Sequence, residues 1–111
     1  MKPGNIILTS LTQADGKMKI RPALILKEMP KFHDLLICGV SSKINNHVQG
    51  FDEIIRTTDY DFKASGLLQE SLIRLGFISV MPLKDIYGSI GKISDERYAK
   101  LLTNLINFLK K

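Results

Sequence analysis

Only one stretch of this 111-residue chain carries helical periodicity, and it lies near the carboxyl end. Tyr98, Leu101, Leu102, Leu105, Ile106 and Leu109 recur at the three- and four-residue spacing of a single helix face. Ser94 precedes them as an N-cap, Asp95 and Glu96 put negative charge in the first turn, and Lys110 and Lys111 complement the far end. The polar face has too few basic residues for a helix lying on a membrane surface, so the stripe is expected to pack on a sheet. Everything before it consists of short aliphatic runs separated by turn signals. Such a chain can bury its apolar surface only as a small, mainly β structure with one terminal helix.

The runs can be placed in order. Residues 5–11 (NIILTSL) read as a first strand, and Asp15-Gly16 signals a hairpin turn to a second at residues 20–27, with Pro22 tolerated near its start. After a break at residues 29–31, the near-continuous apolar run of residues 33–41 implies a strand buried on both faces. Residues 41–50 are the most polar stretch and read as a loop. A short strand at residues 52–57, a turn-rich connection ended by Gly66, and one long bent strand or two short ones over residues 67–80 follow, with Gly76 as the place for a bulge. A helical turn at residues 82–87 and a last strand at 88–93 lead into the helix. The expectation is five to seven short strands partly coiled into a barrel, in a single domain spanning residues 1–111, with no repeat or linker.

Bulk properties exclude several functions. No apolar run reaches the roughly 20 residues a transmembrane helix needs, and the start of the chain lacks a signal-peptide pattern. The lone Cys38 cannot form an internal disulfide and sits in an apolar run, so a reducing, cytoplasmic setting is expected, with the thiol as a small buried hydrophobe. Neither His33 nor His47 is spaced for metal ligation or for pairing with Cys38, and the P-loop and GxSxG patterns are absent. No cofactor and no metal are expected. A formal charge of +5 favours polyanionic partners, including nucleic acid or an acidic protein.

What remains is a set of polar residues at strand ends. Arg21 opens the second strand, where Pro22 biases it toward an extended backbone and its planar fork suits a phosphate. Ser41, Ser42 and Lys43 close the third. If these strands are antiparallel neighbours, Arg21 and Ser41 meet. Plainer roles stay open: a structural ion pair for Arg21, and hydroxyl-to-backbone turn chemistry for the serines.

These residues carry a resemblance. KPGNIIL at residues 2–8, IRPALIL at 20–26, ICGVSSKI at 37–44, SLIRL at 71–75 and IGKIS at 90–94 resemble, in order and spacing, the blocks of the MazF/PemK family. The resemblance implies the toxin of a type II toxin–antitoxin system: a homodimeric, SH3-like β-barrel with a C-terminal helix. Such a protein is a cytoplasmic, metal-independent, sequence-selective endoribonuclease, and binds DNA together with its antitoxin. Arg21 matches the family's catalytic arginine, and Ser41 the position where a catalytic threonine is usual. The ribose 2′-OH then attacks the adjacent phosphate in line, leaving a 2′,3′-cyclic phosphate and a 5′-OH, with the arginine and hydroxyl stabilising the phosphorane. Lys17, Lys19, Ser42 and Lys43 are candidate phosphate contacts, and Gln13, Asn45 and Gln69 candidate readers of single-stranded bases.

Three positions depart from the family pattern. Asn5 stands for the usual aspartate, Ser41 for threonine, and Lys17-Met-Lys-Ile20 for a glycine-rich approach to the arginine. Two other readings follow: a non-enzymatic relative that binds a protein target such as gyrase, or a catalytically lapsed one that keeps only antitoxin or nucleic-acid binding. The expected partners are single-stranded RNA, an acidic antitoxin whose disordered tail folds over the basic groove, and a second copy of the chain, with no membrane.

Overall fold

The structure, a computed structural model, describes residues 1–12 and 14–111. Six strands form one antiparallel sheet in the order β4-β5-β3-β2-β1-β6: β1 (Asn5–Thr12), β2 (Met18–Glu28), β3 (Leu35–Ser41), β4 (Glu53–Ile55), β5 (Ser71–Met81) and β6 (Ile86–Lys92). A single helical turn, α1 (Phe62–Ser65), links β4 to β5, and α2 (Asp95–Leu109) ends the chain. Among the described residues no helix is long and apolar enough to cross a membrane.

Two core clusters lie on opposite faces of the sheet, because neighbouring residues on a strand point to opposite sides. Ile6, Leu24, Cys38, Val40 and Ile73 pack beneath Leu101 and Leu105 of α2. Ile7, Leu11, Ala23, Ile25 and Ile37 form the second cluster. The cross-strand register matches: Leu24 faces Cys38, and Ile25 faces Ile37. The apolar run of β3 is therefore buried on both faces, as its sequence implies.

The sheet has to curl. In a flat sheet, β5 and β6 would stand four strand spacings apart, about 19 Å. The connection between them contains a 3-10 turn at Leu83–Asp85 and reaches only about 13 Å. Register shifts in the β1–β6, β2–β3 and β3–β5 pairs supply the bend. The Thr9 hydroxyl donates to the Asp85 carbonyl at 2.8 Å and fastens the closure. The result is an open, curled half-barrel rather than a fully closed one.

Several boundaries differ from the sequence reading. β3 starts at Leu35, not at residue 33, because Lys31 and His33 adopt positive φ (91° and 65°) in the β2–β3 hairpin. Residues 67–70 are loop, so the long strand begins at Ser71. Ser94 caps α2 as expected, accepting the Arg97 N–H at 3.1 Å. The helical stripe is buried only in part: Leu101 and Leu105 are in the core, whereas Ile106 and Leu109 are exposed.

Candidate active site

Arg21 and Ser41 lie at the same end of the sheet. The β2–β3 ladder ends with Ala23 facing Gly39, so the antiparallel course of the two strands carries Arg21 and Ser41 out at the same end, where both line the same clefts. On the other side Arg21 pairs with Thr9 of β1. Arg21, Ser41 and Ser42 line two adjoining clefts, of about 480 Å³ and about 350 Å³, and so form the wall between them. The larger cleft borders Leu11 of the second core cluster, and the smaller borders Val40 and Leu67 of the cluster beneath α2.

The clefts differ in chemistry. The larger holds Arg21, Lys43 and Arg74 together with Phe77 and Asn46. The smaller is mostly apolar, with Leu8, Pro22, Leu68 and Ile90 around Gln69 and Arg21. Among the described residues neither is lined by an aspartate, glutamate, histidine or cysteine. A groove with three cations and no carboxylate concentrates anions.

The hydroxyl of Ser41 does two things at once. Its oxygen accepts the Lys43 N–H at 3.1 Å, a local turn bond that starts the loop. Its proton is left to donate elsewhere. The loop is then pinned by Asp52, a buried carboxylate that accepts Val48 N–H and Leu75 N–H, each at 3.0 Å. Asp52 thereby ties the loop bearing Lys43 and Asn46 to β5. On the opposite rim, α1 presses against β6. Gly66 (φ +74°) has no room for a side chain, since a Cβ there would sit 2.1 Å from the Ile90 carbonyl oxygen.

The structure gathers part of the residues singled out from sequence. Arg21, Ser41, Ser42, Lys43 and Gln69 line the clefts. Lys17, Lys19 and Asn45 are exposed and line neither, and the Lys17 N–H bonds to Asp15 within its own turn. Asn46, one residue along, takes the position expected of Asn45. Gln13 lies outside the described residues. Asn5 also lies away from the clefts, where its side-chain oxygen accepts the Lys2 N–H at 2.6 Å. It is four residues along β1 from Thr9, about 13 Å of strand.

Arg74 and Phe77 line the larger cleft without having been picked out as site residues. Their signal was weak: one arginine and one aromatic in an otherwise aliphatic strand. Cys38, by contrast, lies in the core beneath α2. Burial, reinforced by the negative charge of Asp52, pushes its thiol up to about 12, which removes it as a nucleophile near neutral pH.

Comparisons with known proteins agree with this architecture. A family model described as PemK-like, MazF-like toxin of type II toxin-antitoxin system matches residues 2–109. No curated protein sequence matches. Among solved structures, the Mycobacterium tuberculosis toxin MazF-mt6 shares the fold, with a TM-score of 0.71 and 18% identity over 96% of each chain. The family match over nearly the whole chain is what identifies it: the protein belongs to the PemK-like, MazF-like toxins of type II toxin–antitoxin systems.

Proposed function

We infer that this toxin is a metal-independent endoribonuclease that cuts single-stranded RNA in the Arg21–Ser41 groove, leaving 2′,3′-cyclic phosphate and 5′-OH ends. The observation that supports it is the meeting of Arg21 and Ser41 on the wall between two acid-free clefts, one of them carrying three cations. RNA runs along this wall. The 2′-OH gives its proton to water as its oxygen attacks the neighbouring phosphorus in line, the P–O5′ bond breaks, and the leaving O5′ takes up a proton from water. Arg21 offers two parallel N–H donors to the phosphorane oxygens, and Ser41 adds its hydroxyl proton. Lys43 holds an adjacent phosphate. Among the described residues no lining group is an ordinary acid–base catalyst, so the rate gain comes mainly from charge stabilisation.

The same groove suits an acidic antitoxin segment, which excludes RNA by occupying Arg21. A second copy of the chain is the further partner. The exposed apolar residues Ile106, Phe108 and Leu109 at the end of α2, and Ile78 and Val80 on β5, support that pairing. The decisive test is cleavage of single-stranded RNA in EDTA with mapped 5′ ends. Wild-type protein cleaves, and Arg21→Ala loses about 100- to 1,000-fold in rate while keeping its thermal unfolding transition. Full activity in Arg21→Ala refutes the assignment.

A further inference from the structure

Beside the Arg21–Ser41 wall lies a pair of residues that the reaction as written does not use. Arg74 faces Gly39 across the β3–β5 ladder, and Ile78 faces Cys38, the residue before Gly39. Three residues, Leu75, Gly76 and Phe77, are thus squeezed out of register between consecutive positions of β3. This bulge turns Phe77 back over the sheet. A Cβ at Gly39 would lie 3.2 Å from the Phe77 ring, so the ring rests on the bare backbone of Gly39. Any larger residue at position 39 would lift it. The ring remains 36% exposed, on a wall of the larger cleft.

Arg74 is unusual in a different way. It is half-buried, and among the described residues its guanidinium has no hydrogen-bonding or ionic partner. A partly desolvated guanidinium with no internal acceptor fits an acceptor brought by a ligand. Two strand spacings of about 4.8 Å separate its strand from that of Arg21, so the two cations can grip successive stretches of one polyanionic backbone. The third cation of the cleft, Lys43, lies between them on the loop after β3.

We propose that Phe77 and Arg74 form a nucleotide subsite flanking the cleavage point: a single-stranded base stacks on the Phe77 ring, and Arg74 takes its phosphate. The proposal rests on the groove being an RNA site. It adds the residues that choose and hold the neighbouring nucleotide. An aromatic face accepts any base by stacking, and Asn46 and Thr12, which line the same cleft, bring polar atoms that can discriminate among them. Phe77 and Arg74 are therefore binding residues, separate from the phosphorane-stabilising pair.

The test uses the full chain and a non-cleavable probe, a 2′-O-methyl single-stranded oligonucleotide carrying 2-aminopurine at each position in turn. Binding to wild type quenches the fluorophore at one position. Phe77→Leu keeps an apolar side chain but removes the ring, so it loses that quenching and binds about 5- to 100-fold more weakly. Phe77→Tyr retains both. Gly39→Ala keeps the ring but pushes it by a few tenths of an ångström, and should weaken the quenching less than Phe77→Leu does. Arg74→Gln weakens binding and lowers the salt slope by about one. Thermal unfolding checks each variant, and if Phe77→Leu fails to fold, Arg74→Gln still tests the site: unchanged affinity and salt slope there overturn the proposal. Unchanged quenching and affinity in Phe77→Leu overturn the proposal. So does a wild-type protein whose cleft binds an acidic peptide but no oligonucleotide. Quenching through Phe77 without cleavage of the all-ribose probe keeps the subsite and removes the nuclease reading; cleavage with Phe77 silent does the reverse.

Discussion

Two arginine environments at different places in this fold show how one side chain can serve opposite ends. Arg97, in the first turn of α2, is only 11% exposed and is surrounded by acceptors. It donates to Glu53, Asp59 and both oxygens of Asp61, and to the Ile54 carbonyl, all within 3.2 Å. Those partners come from β4 and from the connection before α1, so Arg97 fastens the helix to the far edge of the sheet. In the groove, Arg21, Lys43 and Arg74 converge on clefts with no carboxylate among the described lining residues. One region has its anions built in, whereas the other is cationic and complementary to an anion from outside. The Arg97 charge is met by acceptors within the fold and serves stability, and the cationic groove is where we place anion binding.

The sharpest way to break that contrast is to delete one arginine from each region. Arg97→Ala strands Asp61, which is 3% exposed, without its cation. Breaking a buried pair in this way costs about 3–5 kcal/mol. Thermal or urea unfolding should show a loss of that size. RNA cleavage per folded molecule should be unchanged well below the new transition. Arg21→Ala should do the opposite, with a 100- to 1,000-fold fall in cleavage and an unfolding midpoint within a few degrees of wild type. If both variants lose stability alike, the division between the regions fails.

Acid separates the regions by a smaller margin. Burial pushes the Asp61 carboxyl up, but hydrogen bonds from Arg97 and from the Ser94 N–H outweigh it and leave its pKa below the ordinary value. A carboxyl lowered in the folded state stabilises above its unfolded pKa of about 3.9, and that stability is lost as pH falls through the folded value. Wild-type stability should therefore drop below about pH 4, with a slope of at most ~1.4 kcal/mol per pH unit from this group. Asp61→Asn should flatten that part of the curve. An unaltered acid limb in Asp61→Asn would show that the network is not where acid acts.

Much of this was legible in the sequence, for reasons that are local. Ser94 caps because its side chain serves the next turn, and Gly76 marks the bulge because it weakens a strand wherever it sits. Arg21 meets Ser41 because antiparallel neighbours bring one strand's start to the other's end. What escaped depends on registers that no local pattern encodes. Arg74 sits in an aliphatic run, and its direction follows from facing Gly39 on a neighbouring strand. Phe77 looks like core until a three-residue shift turns it over the cleft. The reverse error occurred in α2, where period identifies a face but not how far the sheet extends beneath it. Ile106 and Leu109 carry the right spacing and are nonetheless 48% and 69% exposed. Lys17 and Lys19 were close in sequence to Arg21, but the hairpin carries them past the groove.

The finest test of the groove concerns Ser41, which stands where relatives by resemblance carry threonine. Its oxygen already accepts the Lys43 N–H, so the hydroxyl is oriented by the loop and not by packing. Ser41→Ala removes the donor we propose for the phosphorane together with the turn acceptor. A hydrogen bond to a charged group contributes about 1.5–3 kcal/mol, so kcat should fall about 10- to 150-fold. Ser41→Thr keeps both hydrogen bonds and adds a methyl that restricts χ1. If the loop bond has already fixed the hydroxyl, the methyl changes little, and kcat and KM should stay within about threefold of wild type. A much larger gain in kcat with unchanged KM would mean that the serine hydroxyl is loose in the resting enzyme. The Lys43 bond would then be turn chemistry alone, and the substitution a real loss of catalytic power.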